Sequence, residues 1–382
     1  MATSVKQSQL LQQDKKGGEE TLEQRLRKQG ISRRGFLKFC AAAASAMALP
    51  ASMVPAIAEA LGSVTRPSVI WLSFQECTGC TESFTRSHLP TLESLIFDAI
   101  SLDYHHTLQA ASGHAAEAAR EMAMEKFKGK YLVMVDGSIP MGDGGVYSTI
   151  AGISNIDMLR DTVENAAAVL AVGSCSAFGG LPNAEPNPTG AVSVGDLMAS
   201  GEIATKPLIN IPGCPPIPVV ITGVVAHYLT FGTIPELDQL SRPKSFYGDT
   251  IHDRCYRRTF YDQGKFAETF DDEGARQGWC LYKLGCKGPT TYNACATTKW
   301  NEGTSFPIES GHGCLGCSEP KFWDAGGFYE ALSEPTGALG TAAKVAVGAG
   351  VAAGAVSAWQ NLNRRKSAVA DKAEVTINDL EK

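Results

Sequence analysis

Cysteine residues placed directly after predicted strands constrain this chain more than any other sequence feature. Short apolar runs rich in β-branched residues predict buried strands, and these runs are 68–74, 131–135, 167–172 and 208–211. Helical spacing of apolar residues lies between and beyond them, at 81–100, 153–166 and 219–231. This alternation favours an α/β fold with a mostly parallel sheet covered by helices on both faces. Loops that directly follow these strands carry Cys77, Cys80, Cys175 and Cys214.

These thiols should converge, because the carboxyl ends of parallel strands meet at one edge of the sheet, where open α/β sheets bind ligands. Glycines next to the cysteines allow the backbone to turn tightly around a compact object; they are Gly79, Gly173 and Gly213. Four thiolates suit a cubane iron–sulfur cluster or a structural zinc ion. One CxxC pair with two distant single cysteines favours the cluster, because zinc ribbons usually bring two such pairs.

The character of the chain changes after about Pro243, where periodicity fades and Gly, Asp and aromatic residues become frequent. An apolar core alone cannot easily hold such a segment, so cross-links or metal clusters must contribute to its stability. The candidate ligands in this segment are His252, Cys255, Cys280, Cys286, Cys295, Cys314 and Cys317.

Composition excludes several classes of protein. With 382 residues, 44% of them hydrophobic, the chain can bury a sizeable core. Its net charge of -6 provides no basic field, so we expect no nucleic-acid partner. Its 11 cysteines are too sparse for a small disulfide scaffold. An exported disulfide module is the alternative, but it leaves the clustering of cysteines at strand ends unexplained.

The N-terminal region has the features of an export signal. Arg33 and Arg34 precede Phe36 and Leu37, and an Ala-rich apolar run follows. A basic region, an apolar region and an Ala-x-Ala site in this order form a signal peptide, and the paired arginines indicate the twin-arginine type. We predict a signal at 1–58 that ends at Ala58, with 58–60 as the competing cleavage site. The alternative is a surface arginine pair on an amphipathic helix.

The C-terminal tail, 333–382, contains an apolar stretch at 341–359 with one charged residue, Lys344. This length is just enough to span a bilayer. The basic cluster at 364–366 would lie on the cytoplasmic side, which leaves the preceding protein outside. We therefore predict a membrane anchor helix; the alternative is a flexible Ala/Gly tail or a helix lying on a partner.

The chain resembles the small, electron-transferring subunit of membrane-bound [NiFe] uptake hydrogenases. The resemblance runs from about Pro67 to Phe328 and rests on motifs that occur in the family's order: ECTGCTES, VDGSIP, VGSCSAFGG, NPTGAVS, INIPGCPP, GWCLYKLGCKGP and GHGCLGC. It implies a flavodoxin-like domain at 59–243, followed by an irregular cluster-binding domain at 244–332.

The resemblance also implies three iron–sulfur clusters, two [4Fe–4S] and one [3Fe–4S]. The proximal [4Fe–4S] cluster would be held by Cys77, Cys80, Cys175 and Cys214. The medial [3Fe–4S] cluster would be held by Cys295, Cys314 and Cys317, with Pro307 nearby unable to ligate. The distal [4Fe–4S] cluster would be held by His252, Cys255, Cys280 and Cys286. Candidates to tune these clusters through neighbouring contacts are Thr78, Asp136, Lys287, Lys299 and His312.

On this resemblance the chain is the electron-transfer half of a hydrogenase heterodimer and has no catalytic residue of its own. The nickel–iron centre would belong to the large subunit, and electrons from H2 would pass to the quinone pool through a membrane cytochrome b or another quinone-reducing subunit. The family further implies twin-arginine export to the periplasmic face of the cytoplasmic membrane, and a dimer of heterodimers.

Two further comparisons refine this prediction. Oxygen-tolerant members carry extra cysteines at the positions of Gly79 and Gly180, so we expect a standard, oxygen-sensitive proximal cluster here. An iron–sulfur subunit of a quinone reductase is the second alternative, but such subunits lack the segment from His252 to Cys317.

Overall fold

The main sheet of the protein has five parallel strands in the order β2-β1-β3-β4-β5. A computed structural model describes residues 33–47, 49–63, 66–88 and 90–332. Within them the strands are β1 (Ser68–Ser73), β2 (Ser101–Tyr104), β3 (Leu132–Asp136), β4 (Ala168–Val172) and β5 (Leu208–Ile211). This is the flavodoxin-like strand order, which confirms the predicted fold.

The carboxyl ends of four strands are level with one another. Ser73 of β1 pairs with Asp136 of β3, which pairs with Val172 of β4, which pairs with Ile211 of β5. Every residue of β1, β3 and β4 is buried. This explains why their sequences are continuous apolar runs, since a strand covered on both faces needs no polar side.

Helices cover both faces of the sheet. Those described are α1 (Arg33–Ala46), α2 (Val54–Ser63), α3 (Gly79–Thr85), α4 (His114–Lys126), α5 (Asn155–Val163), α6 (Ser174–Phe178), α7 (Val194–Ser200) and α8 (Pro218–Phe231). One face of the sheet packs with α8 and α1 in an apolar core that includes Trp71, Leu170 and Val224. The other face packs with α4, α5 and α7 in a core that includes Leu72, Val133 and Leu159.

The predicted helix at 81–100 is wrong as a single element. The chain forms α3, breaks, and then forms a π-helix at Ser94–Ala99. Pro90 lies between the two pieces, and proline lacks the N–H that a continuous helix needs. The strand β2 and the helix α4 were not predicted.

The predicted signal peptide is described from residue 33 onward. Helices α1 and α2 pack against α8, and Cys40, Ala43 and Ile57 are fully buried there. The predicted anchor at 341–359 lies outside the described residues. Among the residues that are described, no helix is both long and apolar enough to cross a membrane.

Residues 244–332 add no strand to the main sheet in the part of the chain that is described. Short helices α9 (Lys244–Tyr247), α10 (Arg258–Asp262) and α11 (Glu273–Arg276) alternate with turns. Single-turn 3-10 helices occur at Tyr282–Leu284, Gly288–Thr290, Ala294–Ala296 and Phe322–Asp324. The irregular C-terminal segment is therefore confirmed. Its apolar residues Ile251, Phe306 and Ile308 join the core beneath α8.

Candidate metal centres

The structure brings the four proximal cysteines together at the carboxyl edge of the sheet. Cys77 lies in the loop after β1, Cys80 in α3, Cys175 in α6, and Cys214 in the loop after β5. Burial, followed by the negative charge of nearby Cys214, raises the pKa of the Cys175 thiol to about 12. Cys77 and Cys214 are exposed, so this group reaches the surface of the chain.

Glycines allow these loops to approach one another. Gly173 has a φ of 94°, and a Cβ at this position would lie 2.5 Å from Sγ of Cys80. A Cβ at Gly79 would lie 3.1 Å from Sγ of Cys77, and a Cβ at Gly180 would lie 2.7 Å from Sγ of Cys175. Positions 79 and 180 therefore adjoin the thiols of this group.

Asp136 is the buried acid of the proximal group. It ends β3 and is 1% exposed. Burial raises the pKa of its carboxyl to about 7, although the nearby Cys80 thiol and the N–H groups of Gly137 and Thr81 oppose the rise. Asp136 thus lies beside a proximal thiol, as expected for a group that tunes the site.

Three thiols border one apolar cavity of about 380 Å³. They belong to Cys295, Cys314 and Cys317, the predicted medial ligands. Pro307 lines the same cavity and supplies no donor atom, and Cys214 forms part of its wall. A hollow with soft sulfur donors and a mostly apolar lining fits an iron–sulfur cluster.

The predicted distal ligands line a second, smaller pocket. It is bordered by His252, Cys255, Cys280 and Cys286. Burial and, to a smaller extent, the charge of Arg258 lower the pKa of the His252 imidazole, which favours the neutral form that can bind a metal.

In the described part of the chain, no three side chains of His, Cys, Asp or Glu lie close enough to hold a single metal ion.

The tuning candidates differ in their contacts. Thr78 donates to Glu76 and Lys299 pairs with Glu309 at 2.7 Å, so both contact carboxylates. Lys287 is buried, donates to the carbonyl of Glu330, and lowers the pKa of the Cys286 thiol against the larger effect of burial.

His312 lines the medial cavity, and its ring lies 6.1 Å from that of Phe270.

Sequence reasoning missed several residues that contact the sites. Trp300 lies beside Cys295 and Thr291 lies beside Cys314, and each opposes the rise in the thiol pKa that burial causes. Arg242 is buried between the sheet domain and the C-terminal segment, where it bonds Asp238 at 2.8 Å and Glu319 at 2.9 Å. No local sequence pattern predicts the contact of Thr291 with Cys314 or of Arg242 with Glu319, because these residues are far apart in the sequence.

Two protein families match the chain. Residues 247–330 match the C-terminal region of the NiFe/NiFeSe hydrogenase small subunit. Residues 77–228 match the 20 Kd subunit of NADH ubiquinone oxidoreductase. The first match contains every predicted medial and distal ligand. It argues against a quinone reductase subunit, which shares only the sheet domain.

Curated relatives are similar over nearly the whole chain. The uptake hydrogenase small subunit of Azotobacter vinelandii is 49% identical over 355 residues, covering 91% of this chain and 98% of the relative. The hydrogenase-1 small chain of Escherichia coli K12 is 48% identical over 311 residues, covering 81% of this chain and 82% of the relative.

A solved hydrogenase structure is also similar to this chain. The NiFeSe hydrogenase of Desulfomicrobium baculatum contains a chain that is 38% identical, with a TM-score of 0.66. The match covers 70% of this chain and 100% of that one. Sequence and structure agree, and the chain belongs to the family of [NiFe] uptake hydrogenase small subunits.

Proposed function

We propose that this chain holds three iron–sulfur clusters and relays electrons from H2 oxidation in a large subunit to a membrane acceptor. The observation that carries the proposal is the grouping of the ten cysteines outside the signal and one histidine into three adjoining sites. When bound, the clusters supply one-electron carriers. The chain's own part is to hold them close together.

The proposed ligands are the sets predicted from the sequence. The proximal site takes a [4Fe–4S] cluster on Cys77, Cys80, Cys175 and Cys214. The medial site takes a [3Fe–4S] cluster on Cys295, Cys314 and Cys317, and the distal site takes a [4Fe–4S] cluster on His252, Cys255, Cys280 and Cys286. Burial raises the pKa of several of these thiols, so loading the sites requires release of protons.

The proposed partners suit the positions of the sites. Exposed Cys77 and Cys214 place the proximal group at the surface, which suits contact with a large subunit that carries the nickel–iron centre. The acceptor is proposed to be a membrane cytochrome b or another quinone-reducing subunit, with a dimer of heterodimers as the assembly. Glycine at positions 79 and 180 supports a standard, oxygen-sensitive proximal cluster.

Export by the twin-arginine route and anchoring at the periplasmic face of the cytoplasmic membrane complete the proposal. The arginine pair at the start of α1 and the apolar stretch at 341–359 support it. Replacing Arg33 and Arg34 with lysine should leave the folded precursor in the cytoplasm. Equal amounts of the variant and the wild type in the periplasmic fraction would contradict this route.

The electron-relay proposal is tested on the purified heterodimer. Wild-type protein should reduce a viologen dye with H2, and Cys280→Ser should slow this reduction while the nickel content stays unchanged. Thr269→Ala, in an exposed loop of the same segment, is the control. Dye reduction at the wild-type rate by Cys280→Ser would contradict a relay through the distal site.

A further inference from the structure

Ser174 occupies the junction between the proximal and medial sites. It precedes Cys175 at the start of α6 and is 1% exposed. Its N–H donates to the carbonyl of Gly213 at 2.9 Å, and the N–H of Gly213 donates back to Ser174 Oγ at 2.9 Å. These two bonds join the loops that carry Cys175 and Cys214.

The same hydroxyl reaches the C-terminal segment. Ser174 Oγ donates its proton to the carbonyl oxygen of Cys317. A serine hydroxyl has one proton and accepts through its lone pairs, so both roles are filled and the orientation of the group is defined. One buried oxygen therefore connects two proximal ligand loops with a medial ligand.

A ligand-to-ligand contact lies beside this hydroxyl. The backbone N–H of Cys214 lies close enough to the Cys317 thiol to oppose the rise in its pKa that burial causes. Cys214 also lines the medial cavity with Cys317. Hydrogen bonds to ligand sulfurs raise the potential of an iron–sulfur cluster, because they stabilise the more electron-rich state.

We propose that Ser174 is a positioning residue that holds the proximal ligand loop against the medial ligand Cys317 and so keeps the Cys214 N–H beside the Cys317 sulfur. This rests on the proposed function. Removing the hydroxyl frees the 213–214 loop from the Cys317 carbonyl. The medial cluster then loses hydrogen-bond support at one ligand and becomes harder to reduce.

The test is a redox titration of the purified heterodimer, followed by the EPR signal of the oxidised three-iron cluster. In Ser174→Ala the ratio of reduced to oxidised medial cluster at a fixed potential should fall about fivefold, as for loss of one ordinary hydrogen bond. Ser174→Thr keeps the hydroxyl and should titrate as wild type. The matched control is Ser176→Ala, because Ser176 is equally buried and its hydroxyl bonds the nearby carbonyls of Val172 and Gly173.

The outcomes separate this proposal from the proposed function. A wild-type protein with no three-iron signal overturns the proposed function itself. A normal wild-type signal with Ser174→Ala titrating as wild type overturns only the role of Ser174. If Ser174→Ala loses medial iron, Ser174→Thr decides: a wild-type potential supports the role, and a shifted potential contradicts it.

Discussion

At the scale of single residues, burial disfavours the thiolate form of several predicted ligands. Burial raises the pKa of Cys280 and Cys295 to about 12, against an ordinary value of 9.0. Sulfur binds iron as thiolate, so each ligand thiol must release its proton when the positively charged iron binds.

The ligand residue types could be predicted from the sequence, but their assignment to three sites depended on the family resemblance. Cys314 and Cys286 show why, since a hydrogen bond of 3.3 Å joins these ligands of different sites.

The first prediction concerns Gly180. A Cβ there would lie 2.7 Å from the backbone and Sγ of Cys175, so Gly180→Ala should displace this ligand and cost the protein its proximal iron. Gly201→Ala is the control, because Gly201 also has a positive φ, of 78°, but nothing within 4 Å. The left-handed backbone conformation destabilises both variants by about 1–2 kcal/mol. Iron analysis should show a loss in Gly180→Ala alone; equal iron in the two variants would contradict the prediction.

The second prediction concerns pH. His105 is fully buried, its Nδ1 accepts from the N–H groups of Thr107 and Leu108, and burial lowers its pKa from 6.5 to about 4. The unfolded chain binds this proton more readily, so the stabilisation is present above pH 6.5 and is lost as the pH falls toward 4.

His105→Asn keeps a side-chain acceptor without the titration. Its urea midpoint should therefore fall less than that of wild type between pH 7 and pH 5. Replacing exposed His114 with Asn should leave the fall unchanged. If His105→Asn loses as much stability as wild type over this range, His105 is not the group responsible.

At the scale of elements, the level strand ends make the proximal site. The sequence patterns predicted four of the strands because each is a buried apolar run. They missed β2, which has four residues that include polar Ser101 and Asp103 and is only partly buried at the edge of the sheet. The helix prediction at 81–100 extended across Pro90 because apolar spacing alone does not record a missing backbone donor.

The third prediction concerns α1. Cys40 is fully buried where α1 packs near α8, whereas Leu37 on the same helix is 39% exposed. In the folded, unprocessed precursor, Cys40 should resist alkylation by N-ethylmaleimide, and a cysteine introduced by Leu37→Cys should react. Mass spectrometry of the α1 peptide measures both. Equal alkylation rates at the two positions would show that α1 does not pack on the folded domain.

At the scale of the whole molecule, the sheet domain and the C-terminal segment must stay in register for adjoining sites to form. Arg242 lies at this contact. Its guanidinium is 5% exposed, bonds Asp238 on one side and Glu319 on the other, and lies 5.4 Å from the ring of Tyr292. The sequence gives no sign of this role, since Arg242 and Glu319 are 77 positions apart.

The fourth prediction follows from that burial. Arg242→Ala leaves two carboxylates without their partner and should lower the free energy of unfolding by about 3–5 kcal/mol. Arg254→Ala removes an exposed pair with Asp249 and should cost about 0–1 kcal/mol. Urea unfolding of the heterodimer measures both. A small loss in Arg242→Ala would mean that other contacts hold the two parts together.

The central claim is that every cysteine outside the signal, together with His252, binds one of three clusters. Iron per chain on anaerobically purified heterodimer tests this most directly. The account predicts about eleven irons in the small subunit, as four, three and four, and one more in its partner. A value near eight would mean that one cluster is lost or misassigned. A value near zero with no free thiols would contradict the account and leave an exported disulfide protein.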